Sequence, residues 1–290
     1  LTAPLGADAA SLSKESPPME LGMHAGCIMY TNVLTDIRIA REVGYDAIEL
    51  WIPKLERYLD QGYPVEDLRK AMGPLKVNML NCLMPIEIQE PQARKQLLNR
   101  CERLCQVAQG LNCKTLQAVV LNELIGEDWP SQRKKIAASL RELADIAGPH
   151  GVRLGCETVV FTPFNTLQKA SEVFDLADRE NLRLVVDTFH LWTAGVSWDE
   201  VAQLDSQIIV SVHLSDTNPR RGAQWDDDDR TALLGEGILP LREGIQAILN
   251  TGYDGCWAVE MLSRKHWEWD PQILASELKR RTQIFLLDEE

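Results

Sequence analysis

The sequence predicts an α/β protein folded as a single (β/α)8 barrel, and three observations carry that prediction. Short apolar runs rich in β-branched residues recur about every 30 residues. Longer stretches of helical periodicity separate them, which favours a parallel sheet with crossover helices. Eight such units within about 270 residues suit a closed barrel, with a doubly wound open sheet as the alternative. No Gly-x-Gly-x-x-Gly follows the first run, and that counts against a dinucleotide fold.

The expected strands are 21–28, 47–51, 76–83, 115–121, 153–159, 183–187, 208–214 and 256–261. Most are near-continuously apolar, as strands covered on both faces should be. The expected helices are 35–43, 92–110, 131–147, 166–178, 240–250 and 271–287. Gly44, Gly110, Gly151 and Gly252 come after helical stretches, where a helix-ending glycine belongs, and each precedes the next strand by a few residues. Residues 1–20 lack a basic start followed by an apolar core, so they read as a flexible tail ahead of a catalytic barrel spanning 21–290. The one conspicuous irregular insertion is 217–234; within it Asp226–Asp229 reads as a solvated acidic loop.

A net charge of −13 repels a polyphosphate backbone and disfavours nucleic-acid partners. No apolar run approaches the roughly 18 residues a membrane helix requires. Seven cysteines, an odd number with no Cys-x-x-Cys pair, read as thiols of a reducing cytoplasm and not as a disulfide framework or zinc site.

Barrel chemistry sits where strands end at their C-terminal edge. There the fifth run closes on Glu157 and the sixth on Asp187, with His190 three residues later. The seventh closes on His213, with Asp216 three residues later, and the eighth on Glu260. Four successive strands thus deliver ionisable side chains to one rim. Two glutamates, an aspartate and a histidine make an oxygen-rich donor set suited to one divalent ion: Mn²⁺, Mg²⁺ or Co²⁺, with zinc also acceptable. Such an ion would leave positions for adjacent substrate oxygens, polarise a carbonyl and stabilise the enediolate formed when a carboxylate removes the neighbouring proton. His24, in the first strand, is as well suited to a core role as to the pocket. Glu49 and Trp51 end the second strand, and Trp51 is as well suited to core packing as to the pocket.

At these residues the sequence resembles the sugar isomerase/epimerase superfamily, the xylose isomerase-like barrels. The matching pieces are Gly44-Tyr45-Asp46-Ala47-Ile48-Glu49-Leu50, Cys156-Glu157-Thr158, Val186-Asp187-Thr188-Phe189-His190 and Val212-His213-Leu214-Ser215-Asp216, followed by Leu234-Gly235-Glu236-Gly237, Gly252-Tyr253-Asp254-Gly255 and Val259-Glu260. The resemblance implies that Glu157, Asp187, His213 and Glu260 hold one metal and that Glu157 and Glu260 form the acid/base pair. It also implies substrate contacts from His190, from an arginine after the metal histidine, and from a substrate wall where Glu49 and Trp51 end the second strand; Asp216 suits a substrate contact and a supporting or capping role equally. Arg220 fits that arginine counted forward from His213, and Arg230, slightly preferred, fits counted back from Gly235. The implied activity is isomerisation or epimerisation of a sugar or keto-polyol. A dehydratase of inosose or dehydroshikimate type and a non-catalytic metal-bearing binding protein are the alternatives. The implied partner is a small polyhydroxylated molecule, slightly more in keeping with a free sugar than a phosphate; pairing with a second copy stays open.

Overall fold

The computed structural model describes residues 19–287. The expected tail therefore lies outside the described residues except for Met19 and Glu20, and Glu20 opens the first strand. In chain order the elements are β1 (Glu20–His24), α1 (Val33–Val43), β2 (Ala47–Trp51), α2 (Ile52–Asp60), α3 (Val65–Met72) and β3 (Lys76–Leu83). Next come α4 (Pro91–Gly110), β4 (Thr115–Val119), α5 (Trp129–Ala147), β5 (Arg153–Glu157), α6 (Leu167–Ala177) and β6 (Leu182–Asp187). The last are α7 (Thr188–Thr193), α8 (Trp198–Ala202), β7 (Ile209–Leu214), α9 (Leu241–Asn250), β8 (Cys256–Val259) and α10 (Pro271–Leu286). Each strand runs parallel to the next, and β8 pairs back onto β1. The sheet is a closed (β/α)8 barrel.

The main apolar core lies between the barrel and its helices, where β-strand residues such as Leu50, Leu116, Val186 and Trp257 meet Ile37, Leu104, Leu140 and Leu278. Inside the barrel, small residues allow the strands to approach: a Cβ on Gly22 would crowd the Cys256 sulfur at 2.6 Å. Helix ends obey local chemistry. Asn32, Asp128, Thr166 and Asp270 each accept a first-turn N–H at the start of their helices. Gly44 ends α1 at φ 83°, a left-handed conformation that glycine adopts without Cβ strain.

Four strands end earlier than their apolar runs suggest. The run 21–28 divides because the His24 ring nitrogen Nδ1 accepts from the Gly26 N–H, starting a 3₁₀ turn over Ala25–Ile28. Likewise Val120, Thr158, Val159 and Met261 are buried loop residues beyond their strands. An apolar run reports burial, and buried loops at a barrel mouth carry the same signal as strand. The short helices α2, α3, α7 and α8 are too brief to impose a long periodicity, so no expected helix covers their segments.

Behind the β1–α1 connection lies a buried ion pair. Lys54 of α2 reaches Asp36 of α1 at 3.1 Å and also donates to the carbonyls of Ala25 and Ile28. Both side chains are at most 2% exposed. Lys54→Met removes the counter-charge of buried Asp36, whose pKa burial already raises to about 6, and leaves the Ala25 and Ile28 carbonyls without their donor, so denaturant melts should show a loss of about 3–5 kcal/mol. The paired variant Asp36→Leu, Lys54→Met should recover most of it; equal loss in both would show that packing, not charge, is at stake.

Candidate metal centre

The site is built by strand ends. Register places Asp187 of β6 directly beside His213 of β7, while Glu157 is the last residue of β5 and Glu260 lies one residue past β8. Asp187 both ends its strand and caps the next helix. Its Oδ1 accepts the His190 N–H at 2.8 Å and starts α7, which turns Oδ2 toward the centre. The ligand atoms of Glu157, Asp187, His213 and Glu260 lie within 4.8 Å of one another, and all four residues are buried.

His213 sits at the middle of this cluster. Its Nδ1 lies 3.0 Å from Glu157 Oε1, 2.9 Å from Glu260 Oε2 and 4.0 Å from Asp187 Oδ2. Its Nε2 faces away from them and meets Glu49 Oε2 at 2.8 Å. Burial opposes charge on this imidazole, but Glu49 and Glu260 outweigh it and raise its pKa well above the usual histidine value. Glu49 is correspondingly lowered: burial acts upward and the facing His213 prevails.

Arg230 supplies the second positive charge. It is 2% exposed, and its Nη2 donates to Glu260 Oε2 at 2.7 Å, Asp187 Oδ2 at 2.9 Å and Ser215 Oγ at 3.0 Å. Its Nη1 reaches His190 Nε2 at 3.1 Å. Arg220 lies instead on the surface, its guanidinium 5.6 Å from the Trp225 ring. Burial drives the His190 imidazole down to about 3, so it is neutral. The edges of Phe161 and Phe189 pack on it.

The two glutamates differ in company. Glu157 receives a bond from the neutral Gln117 amide at 3.1 Å, and burial pushes its carboxyl up to about 7 despite His213. Burial also acts upward on Glu260, but Arg230, His24 and His213 together hold it well below the usual carboxylate range.

Three further sequence expectations take definite places. The Asp216 carboxylate is absorbed by the loop: it accepts from the backbone N–H groups of Thr217, Gly235, Gly237 and Leu239. A Cβ on Gly237 would overlap Asp216 Oδ1, which explains the glycine there. Trp51 is half-buried at the end of β2. Asp226–Asp229 is more than a solvated loop. Asp229 is buried, Asp226 caps a 3₁₀ turn, and Asp227 Oδ1 lies 3.4 Å from Arg230. The missed residue is Glu49, which lies against the far side of His213 and not at a substrate wall; alternation in 47–51 places it inside the barrel, but only the fold reveals its partner.

The chain belongs to the xylose isomerase-like TIM barrel family, whose pattern matches residues 37–282. Among its relatives, inosose isomerase of Bacillus subtilis (strain 168) is 25% identical over 259 residues, covering 87% of this chain and 92% of that protein. L-ribulose-5-phosphate 3-epimerase of Escherichia coli (strain SE11) is 22% identical and covers 79% and 82%. The crystal structure of the IOLI protein with a bound zinc atom superposes with a TM-score of 0.87 at 24% identity, covering 93% of this chain and 99% of that one. The centre is thus the buried metal-binding site of a sugar isomerase/epimerase-like barrel. Three hard carboxylates and one imidazole nitrogen, gathered where Arg230 and His213 now balance their charge, fit a divalent ion.

This balance is open to two tests. A divalent ion binds the ionised carboxylate, and Glu157 titrates at about 7, so metal affinity should fall as pH drops through neutrality while loading releases on the order of one to two protons. Calorimetry in buffers of different ionisation enthalpy measures that release; no proton release would contradict it. Arg230→Met should destabilise the metal-free protein by about 3–5 kcal/mol, because Asp187 and Glu260 lose their buried counter-charge. Added Mn²⁺ supplies that charge again, so the metal-induced rise in Tm should be larger in Arg230→Met than in the wild type.

Proposed function

We propose that this chain is a divalent-metal-dependent isomerase or epimerase of a sugar or keto-polyol, acting by carboxylate-mediated proton transfer beside a carbonyl. The observation that supports it most is the convergence of two buried carboxylates from different strands, Glu157 and Glu260, which lie 3.0 and 2.9 Å from His213 Nδ1. They come from strands three apart around the rim, so a flat substrate between them presents one face to each.

An ion held by Glu157, Asp187, His213 and Glu260 would polarise a carbonyl beside it and acidify the adjacent C–H. The chain's own part is to move the proton. One glutamate, ionised, takes it from carbon, and the other, which starts with a proton of its own, gives that proton to the opposite face and inverts the centre. Return by the same glutamate to the neighbouring carbon, with the hydroxyl proton passing between the two substrate oxygens, exchanges the carbonyl position instead. The Arg230 guanidinium and the His190 ring, in contact at 3.1 Å, hold a substrate oxygen, and the phenyl rings packed on His190 exclude water from it. Trp51 at the rim suits the apolar face of a sugar ring. The relatives named inosose isomerase support a cyclic keto-polyol as substrate.

The test is proton NMR in D₂O with Mg²⁺-loaded protein and a panel of inososes, ketoses and dehydroshikimate. Deuterium beside a carbonyl, or a new epimer, is the expected result, reduced at least about a hundredfold in Glu157→Gln and in Glu260→Gln. A vinyl signal with loss of water would replace the isomerase by the dehydratase that the relative 3-dehydroshikimate dehydratase of Pseudomonas aeruginosa represents. Turnover unaffected by either substitution would remove both readings.

A further inference from the structure

We infer that Glu49 is the positioning residue that decides which nitrogen of His213 is free to ligate, an assignment that rests on the metal-site reading. The evidence is a hydrogen-bond chain running down the barrel interior. Asn78 Nδ2 donates to Ser211 Oγ at 3.0 Å and to Glu49 Oε1 at 2.7 Å. The Ser211 hydroxyl, its lone pair facing Asn78, has its hydrogen left for Glu49 Oε1 at 2.8 Å. Two donors therefore fix one carboxylate oxygen, and the other, Oε2, meets His213 Nε2 at 2.8 Å. Glu49 and His213 are both 0% exposed, so no solvent competes.

An ionised carboxylate only accepts hydrogen bonds. Glu49 thus commits His213 Nε2 to carrying hydrogen, and the lone pair of the neutral ring falls on Nδ1, the nitrogen among Glu157, Asp187 and Glu260. A histidine ligand oriented by a carboxylate on its other nitrogen is a general device of metal centres. Here the sequence of donors makes the device directional. In Glu49→Gln, Asn78 and Ser211 still require an acceptor and hold the amide oxygen at the Oε1 position. The amide NH₂ must then face His213 Nε2, forcing that nitrogen to accept and moving its hydrogen to Nδ1, toward the ligand carboxylates.

The experiment uses the full chain, with Mn²⁺ as probe and binding followed by the EPR signal of the free ion. Glu49→Gln keeps shape and hydrogen-bond count, and its melting curve reports whether the fold is retained. The expected loss of Mn²⁺ affinity is about 100-fold. The double variant Asn78→Asp, Glu49→Gln moves the negative charge to position 78, where it accepts from the amide NH₂ and lets the amide oxygen turn to His213. That variant should recover to within about tenfold of wild type, which a purely structural role for Glu49 does not predict. Affinity in Glu49→Gln within twofold of wild type, or no recovery in a folded double variant, overturns the inference. A separate measurement does not depend on affinity: ¹⁵N NMR of protein loaded with diamagnetic Zn²⁺, in which the His213 ring is neutral, should show hydrogen on Nε2 and none on Nδ1. A bare Nε2 overturns the inference whatever Mn²⁺ does. Failure of wild-type protein to bind Mn²⁺, Co²⁺ or Zn²⁺ would overturn the metal-site reading and, with it, the ligating role assigned to His213 Nδ1.

Discussion

Four carboxylates buried in one barrel impose the condition that shapes everything around them. Glu49, Glu157, Asp187 and Glu260 are each at most 6% exposed, and uncompensated charge in such a place is prohibitive. His213 answers it by lying between Glu49 on one side and Glu157 with Glu260 on the other. Arg230 completes the balance from above, spanning Asp187 and Glu260. The same compactness that demands positive charge makes the site a place for a divalent ion.

Delivering Arg230 requires the whole segment after β7. This connection leaves the barrel at Ser215, whose hydroxyl donates to the Glu260 carbonyl. Asp216 then ties the loop's far end back to its beginning through backbone N–H groups at positions 235, 237 and 239. Thr217 donates to the Asp229 carbonyl, and Asn218 to Thr231. With both ends fixed, the 3₁₀ turn at Asp227–Asp229 directs the next side chain, Arg230, inward. Asp216 holds this loop in place, since its oxygens are spent on backbone donors.

The positions of the buried cluster were legible because strand ends are. Each of Glu157, Asp187, His213 and Glu260 is an ionisable residue at or near the C-terminal end of an apolar run, and the parallel order of strands guarantees that such residues share a rim. Helix limits were read well where a glycine marks the end, as at Gly44. Strand limits were overrun where a buried loop continues the apolar run, as at 25–28 and 158–159. The short helices after β2 and β6 were not legible, because a single turn or two carries too little period to stand above its neighbours.

The barrel and the strand ends that carry the buried acidic cluster can be read along the chain, since they arise from periodicity and from which residue types tolerate burial. Which arginine enters the centre cannot: Arg220 and Arg230 both fit the spacing, and only the folding of the loop separates them. Folding likewise settles that Asp216 serves the backbone and that Glu49 faces His213 across 164 positions of chain. Those pairings join distant parts of the chain, and no local pattern encodes a contact that exists only once the sheet has closed.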